Sequence, residues 1–375
     1  MRILYGVQGT GQGHISRARA MARALAQQDV QVDWLFSGRR PDQFFDMQAF
    51  GQFQYRRGLT FTTKAGRVSY TGTALGNNIF HFLKDIYRLK LDQYDLIVSD
   101  FEPVSAWAGQ LSDIPTIGIG HQYAFGKTTP IAGGNVLSRQ IIRHFAPVST
   151  ALGLHWHPYA DNVLPPILDL PQRTQSTGHH ILVYLPFEDQ QAVSHWLRAF
   201  PDYHFHQYAP GLSTTRVGNI WQHPPSIRLF KQDLARCRGV ICNSGFELIS
   251  ECLQWHKPVL TKPLTGQMEQ LSNALALAQL GYAHTIDRLC KTSLAQWLHT
   301  PKPAPQLHFA DVAAALAQWL AEGCHRNLKH LQQQLWNASH FSTSIPVCTA
   351  KARSYPGIAN QTVNSSTFGI HRQLR

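Results

Sequence analysis

Charge is scarce in this sequence, and acid scarcer than base. Only 15% of the 375 residues are charged, with 22 Asp and Glu against 34 Lys and Arg. The hydrophobic fraction of 43% excludes a disordered chain as a whole and implies a substantial interior. No apolar run approaches the length of a membrane span, and Met1 leads directly into a strand with no signal peptide, so a cytoplasmic protein is expected. The cysteines at 237, 242, 252, 290, 324 and 348 include no Cys-x-x-Cys pair, and buried free thiols in a reducing compartment account for them. A net charge of +12 would draw the chain to nucleic acid or an anionic bilayer. Six of the basic residues, however, lie from Arg326 to Arg375, where there is no Asp or Glu. Past Phe341 this tail is polar and aperiodic, so 341–375 reads as a disordered basic extension. A contact with an anionic membrane surface remains open; a specific nucleic acid partner is not expected.

The stretch around which the chain is organised runs from Val240 to Gln270 and beyond. Val240-Ile241-Cys242 is a short strand, Asn243-Ser244-Gly245 a turn, and Phe246 to Trp255 a helix. A second strand, Pro258-Val259-Leu260, and a second helix after Gln267 follow. Glycine before a helix lets the backbone approach an anion, and the free N–H groups with the helix dipole favour phosphate. Glu251, more than one turn into the first helix, is placed for paired ribose hydroxyls. Glu269 and Gln270, opening the second, are placed for a sugar. The segment reads as a site for a sugar attached to a nucleoside diphosphate.

The N-terminal half opens with strand 2–7, the loop Gly9-x-Gly11-x-Gly13-His14, a helix from Ile15 to Ala26 and a second strand. A dinucleotide fingerprint would put its third glycine at position 14 and an acid after the second strand, where Ser37-Gly38-Arg39-Arg40 stands. An NADP enzyme, with those arginines on a 2′-phosphate, is the oxidoreductase alternative. Arg17, Arg19, Arg23, Arg39 and Arg40 read as solvated charges. Residues Arg56 to Asn78 read as a long loop. The later strands end at Asp100 and at His121, and Glu102 opens a helix. In a parallel sheet ligands bind beyond the carboxyl ends of strands, so His14, Asp100, Glu102 and His121 are expected on one rim. His155-x-His157 lacks the further ligands of a metal shell, and no metal is expected.

A proline-rich linker at 158–178 separates the N-terminal domain, 1–157, from a second α/β series at 179–340. This series includes extended pieces at Tyr203–Tyr208 and Ile227–Phe230, with a helical stretch from Phe309 through Glu322 toward Trp336 closing the fold. Two doubly wound parallel-sheet α/β domains facing a cleft result.

The residues Ser244-Gly245, Glu251, Lys257-Pro258-Val259, Pro263 and Glu269-Gln270-x-x-Asn273-Ala274 resemble the sugar-nucleotide domain of inverting GT-B glycosyltransferases. The relatives in view are the N-acetylglucosaminyltransferase that completes lipid II and the UDP-glycosyltransferases. The loop at Gly9, Gly11, Gly13 and His14, with Ser99-Asp100-Phe101-Glu102-Pro103, looks like a bacterial and archaeal branch of that superfamily. The resemblance covers about residues 1–285. It implies two Rossmann-like domains and transfer from a UDP-sugar, with inversion, to an acceptor hydroxyl. By the same resemblance Asn243, Ser244, Gly245 and Phe246 cradle the diphosphate, Glu251 binds ribose, Glu269 and Gln270 hold the sugar, and backbone near Phe230-Lys231 meets the base. His14 would be the general base, oriented by Asp100, since histidine as a residue type titrates near neutrality and a carboxylate fixes its tautomer. The sequence departs from the pattern at Lys257 and at Pro186-Phe187-Glu188-Asp189, where relatives carry small residues.

No Asp-x-Asp pair calls for a metal-bound donor, so no cofactor beyond the nucleotide-sugar co-substrate is expected. The acceptor stays open among lipid-linked, polysaccharide and soluble compounds. A peripheral place on the inner face of the cell membrane would suit the first. A sugar-nucleotide epimerase or hydrolase on the same fold, and a non-catalytic sugar-nucleotide-binding protein, are the remaining alternatives.

Overall fold

The computed structural model describes residues 1–60, 63–64, 67–68, 78–133, 136–171, 178–300 and 304–341. Most of the loop at 56–78, Cys348 and nearly all of the basic tail lie outside these residues. Residues 1–345 form one compact unit.

The first sheet is built from β1 (Arg2–Gln8), β2 (Gln31–Ser37), β3 (Phe53–Tyr55), β4 (Leu96–Asp100), β5 (Thr116–Gly120), β6 (Thr150–Leu154) and β7 (Val163–Leu164). Its order is β3-β2-β1-β4-β5-β6-β7 with every pair parallel. The strands are apolar runs buried on both faces, as a parallel sheet demands: Ile3, Leu4, Tyr5 and Val7 are fully enclosed. Helix α1 (Gln12–Leu25) follows β1, α2 spans Ile79–Tyr87, α3 spans Pro103–Gln110, and α4 spans Val136–Phe145. The order reverses between β1 and β4, which opens a crevice where β1 meets α1.

The second sheet repeats the plan with β8 (His180–Tyr184), β9 (His204–Tyr208), β10 (Thr215–Val217), β11 (Ile220–His223), β12 (Gly239–Asn243), β13 (Val259–Lys262) and β14 (His284–Thr285). They run β10-β11-β9-β8-β12-β13-β14, parallel except for β10 against β11. Its helices are α5 (Gln190–Arg198), α6 (Ile227–Arg236), α7 (Phe246–Gln254), α8 (Met268–Leu280) and α9 (Lys291–His299). The two sheets thus give a doubly wound α/β fold in two parts, as the sequence implies.

Two expected elements come out differently. Residues 227–230 are not extended; they begin α6, because Ser226 accepts the Leu229 N–H as a cap and Ile227, Phe230 and Leu234 recur at helical spacing. The C-terminal helical stretch is two helices, α10 (Val312–Ala321) and α11 (Leu328–Ala338), broken where Gly323 and Cys324 both take positive φ (73° and 62°) and restarted by an Asn327 cap. Helix α10 packs on α1, so the chain returns to the first sheet. The Trp336 indole of α11 donates to the Val163 carbonyl at 2.7 Å.

One hydrophobic cluster runs from β1 through Trp156 to Phe246 and Ile249 of α7. Trp156 is fully buried and its Nε1 donates to Ser250 Oγ at 2.8 Å. Phe246, 1% exposed, lies flat on His121 with centroids 4.0 Å apart. Burying such a side chain contributes roughly 1.5–3 kcal/mol, so this contact helps to fix α7 against the first sheet.

Candidate active site

The crevice at the end of β1 is shaped by small residues. Gly9 N–H donates to the Ser37 carbonyl at 2.7 Å, closing the loop against β2, and a Cβ on Gly13 would fall 2.3 Å from a Glu247 carboxylate oxygen of α7. His14 therefore starts α1 at the point where the two sheets approach. Asp100 ends β4 beside it, and the His14 Nδ1 lies 2.7 Å from Asp100 Oδ1. In the tautomer that donates from Nδ1 to Asp100, Nε2 is the ring's acceptor. Arg17 Nη2, which can only donate, also lies 3.0 Å from Nδ1.

Arg17 completes the cluster, one turn beyond His14 on the same helix face. It is 1% exposed, donates from Nε to Asp100 Oδ2 at 2.8 Å, and is paired with Asp100 Oδ1 and with Glu247. The expectation of a solvated arginine is thus wrong at 17, and also at Arg19, which is 8% exposed. Hydropathy assigned these positions to water, but α1 is covered by α7 and α10, so only paired charge can occupy them. Burial alone would raise the Asp100 carboxyl; Arg17 and His14 outweigh it and hold the group below the ordinary carboxylate range. Burial would lower Arg17, but the Asp100 and Glu247 carboxylates hold its guanidinium above its ordinary value. With His14 neutral the cluster of Arg17, Asp100 and Glu247 sums to one negative charge.

A cleft opens next to this cluster. Gln12, Gly13, Ser16 and Arg19 line it from α1, while Tyr184, Tyr208, Phe230, Lys231, Glu247 and Glu251 line it from the second sheet. Phe230 meets Tyr184 and Tyr208 edge-on at 5.3 and 5.2 Å, forming an aromatic wall for a flat group. Lys231 and Glu251 are ion-paired at the other side, and burial pushes the Glu251 carboxyl up to about 7 against the pull of Lys231. Arg19 donates from Nε to Asp169 at 3.0 Å, while its buried Nη1 has no partner among the described residues. An unpaired guanidinium nitrogen beside a cleft is a ready donor to an anionic ligand.

Gly245 caps α7 at φ −73° with no side chain accepting from the helix, and a Cβ built there would meet nothing within 4 Å. The first N–H groups of α7 thus have no side-chain cap, the condition under which a helix N-terminus can hold phosphate. The side chains on either side of Gly245 do other work. Ser244 is fully buried with its Oγ 2.9 Å from Thr261 Oγ1, and its carbonyl accepts from Asn273 Nδ2 at 3.0 Å. Asn243 donates to the Lys262 carbonyl at 3.1 Å while its Oδ1 is buried and unpartnered among the described residues. Phe246 is in the core.

Of the remaining expected residues, Phe230 and Lys231 reach the cleft as helix side chains and not as backbone after a strand. Glu269, opening α8, accepts at 3.0 Å from Nε2 of Gln122, in the helical turn that follows β5, and Gln270 Oε1 accepts the Leu264 N–H at 3.0 Å. Gly9 and Gly11 stay in the loop beside His14. Glu102 and His121 do not join His14 and Asp100 on an open rim. Glu102 is fully buried, capping α3 through the N–H groups of Val104 and Ser105 and accepting from Ser37 Oγ at 2.6 Å. His121 is fully buried between the Leu154 carbonyl at 2.8 Å and Asn273 Oδ1 at 2.7 Å, a tie between the two halves. Strand-end position brings a residue to the rim but does not say whether its side chain points outward or caps the next helix.

Two doubly wound, mostly parallel sheets with a cleft lined from both define the GT-B class. The chain belongs to glycosyl transferase family 1, whose sequence model matches residues 1–300. Its reaction class is glycosyl transfer. Among curated proteins none matches the sequence. Solved structures of similar fold include the glycosyltransferase SnogD from Streptomyces nogalater, with 14% identity and a TM-score of 0.50 over 89% of this chain and 96% of that one. Acinetobacter baumannii MurG is similar at 15% identity and TM-score 0.51, over 90% of this chain and all of that one. The spinosyn rhamnosyltransferase SpnG complexed with thymidine diphosphate is similar at 15% and 0.52, over 90% and 100%. Among the described residues no helix is long and apolar enough to cross a membrane.

Proposed function

We propose that this glycosyltransferase takes its sugar from a nucleoside diphosphate sugar, a UDP-sugar in the first instance, and passes it with inversion to an acceptor hydroxyl, His14 serving as general base. The observation that carries the reading is the His14–Asp100 pair, which Arg17 joins to Glu247 in the first turn of α7, next to the cleft. The nucleoside base would lie against Tyr184, Tyr208 and Phe230, the ribose at Glu251, and the diphosphate at the Gly245–Phe246 backbone with Arg19 Nη1. Thymidine diphosphate bound to the similarly folded SpnG is a ligand of the same chemistry.

In the step itself the acceptor hydroxyl gives its proton to His14 Nε2 as its oxygen bonds the anomeric carbon. The bond from that carbon to the diphosphate breaks on the opposite face, and the leaving oxygen keeps the electron pair beside the helix N-terminus. Accepting the proton takes the Arg17, Asp100, Glu247 and His14 cluster from one negative charge to none, so the buried charge balance favours the transition state. Helix dipole and arginine supply the countercharge that a metal supplies elsewhere, and no metal is assigned to this step.

The test is thermal stability of the protein with UDP, GDP, dTDP, their sugar conjugates and NADP, because a ligand of the native state raises its melting temperature. A shift with one nucleoside diphosphate family is expected; a shift with NADP alone would refute the reading. His14→Ala should keep that shift and lose roughly 10²–10⁴-fold in turnover, and an unchanged rate would remove His14 from the chemistry. The acceptor stays open among lipid-linked, polysaccharide and soluble compounds, and product formation on each would decide between them.

A further inference from the structure

We propose that His180, His206 and Asp233 form a binding site for a divalent cation that favours imidazole ligands, such as zinc, seated behind the aromatic wall of the cleft. One ligand atom from each lies within 4.8 Å of the other two, the one such group of His, Cys, Asp and Glu among the described residues. His206 Nδ1 is 2.7 Å from Asp233 Oδ2, and the rings of His180 and His206 are 4.3 Å apart. Tetrahedral zinc, with ligands at roughly 2.0–2.2 Å, needs ligand atoms about 3.3 Å apart, which small side-chain rotations reach from here. Two imidazoles and a carboxylate suit zinc or cobalt and disfavour magnesium and calcium, which prefer oxygen. All three residues are partly exposed, so an ion has a way in.

A fourth group is at hand. The His223 ring lies 5.2 Å from that of His206 and stacks on Tyr208 at 4.6 Å, and its Nε2 is buried without a partner among the described residues. Tyr208 Oη donates to Asp233 Oδ2 at 2.6 Å, so the carboxylate already has its orientation fixed.

The placement gives the ion a role. Each of the three elements that supplies a ligand also supplies one aromatic of the cleft wall: β8 carries His180 and Tyr184, β9 carries His206 and Tyr208, and α6 carries Asp233 and Phe230. A cation joining the ligands would clamp the wall from behind without entering the cleft. It is structural, so it stands apart from the chemistry at His14.

The experiment uses the full chain, stripped with a chelator and titrated with zinc against a chromophoric competitor, then with cobalt, whose visible spectrum reports tetrahedral nitrogen and oxygen ligands. One zinc per chain is expected, bound at least tenfold more tightly than by His206→Gln or Asp233→Asn. Because Asp233 also holds Tyr208 and its loss could disturb folding, His180→Gln is the decisive variant: among the described residues the hydrogen bond of its Nε2 is to the Asp233 carbonyl, at 3.1 Å. It should weaken zinc tenfold with unchanged unfolding of the stripped protein, whereas His157→Gln should change nothing. With 20 histidines in the chain, adventitious binding is the rival. Zinc affinity or cobalt spectra that His180→Gln leaves unaltered, or no saturable site at all, overturn the proposal.

Discussion

Replacing Arg17 by Met keeps a long side chain and removes the guanidinium that Asp100 and Glu247 share. Asp100, fully buried, would then face only His14 among these partners. Deleting one partner of a buried ion pair costs roughly 3–5 kcal/mol, because the other charge stays desolvated. Glu247, 19% exposed, adds little, since water reaches it. With a urea slope near 3 kcal/mol per M, the unfolding midpoint should fall by about 1–2 M. The pH dependence identifies the cause. In the native protein Asp100 is held below its ordinary 3.8, so it contributes stability above that value that is lost as pH falls through the folded value. In the variant burial is no longer outweighed, the carboxyl rises, and protonation relieves the strain. The difference between the two proteins should therefore be largest near neutrality and shrink as the pH falls toward the ordinary carboxylate range. Arg17→Met with Asp100→Asn, which removes the fully buried charges of this cluster, should recover more than half of the loss. A loss below about 1 kcal/mol, or one equal at both pH values, would refute the buried pair.

Glu251→Gln should change a different pH window: its carboxyl is raised from 4.5 to about 7, so the native protein loses stability as pH rises across that interval, by up to about 3 kcal/mol. The difference curve between wild type and variant, from denaturation at successive pH values, measures it, and a flat curve refutes the assignment. At Gly245 a side chain meets open space, so Gly245→Val should alter stability by less than about 1 kcal/mol yet weaken nucleoside diphosphate binding tenfold or more by calorimetry. Equal affinity would move the diphosphate elsewhere. Gly153→Ala should do the reverse, costing roughly 1–3 kcal/mol in urea unfolding because its Cβ would sit 2.6 Å from the Ala124 Cα, with little change in kcat once folded.

The two-sheet plan was legible because buried parallel strands are continuous apolar runs punctuated by turns, and nothing in the fold contradicts that pattern at Ile3–Val7 or Val240–Cys242. His14 and Asp100 were legible for a related reason, since strand ends in such sheets deliver side chains to one crevice. What escaped were the partners supplied by tertiary contact. Arg17 was legible only as one of several arginines on a helix; its spacing of three from His14 was the available signal, and it acquires meaning only when α7 brings Glu247 across. Glu102 and His121 failed in the opposite direction, because a cap and a buried bridge use the same residue types as a catalytic rim. At 227–230 a serine cap before an apolar run at helical spacing was present in the sequence and read as strand.

Arg17 also bears on why the chemistry sits where two domains meet. It holds Asp100 of the first sheet and Glu247 at the start of α7, so the same guanidinium sets the charge beside His14 and fixes the helix whose N-terminus is open to phosphate. An anion arriving at Gly245 adds negative charge one residue from Phe246 and two from Glu247, and Arg17 and Arg19 are the buried cations on the facing helix. Under the proposed function, donor binding and proton transfer to His14 would be coupled through one short stretch of α1. Separating the two halves would leave Asp100 and Glu247 without a common counter-ion, so the charge beside His14 depends on α7 being docked against α1.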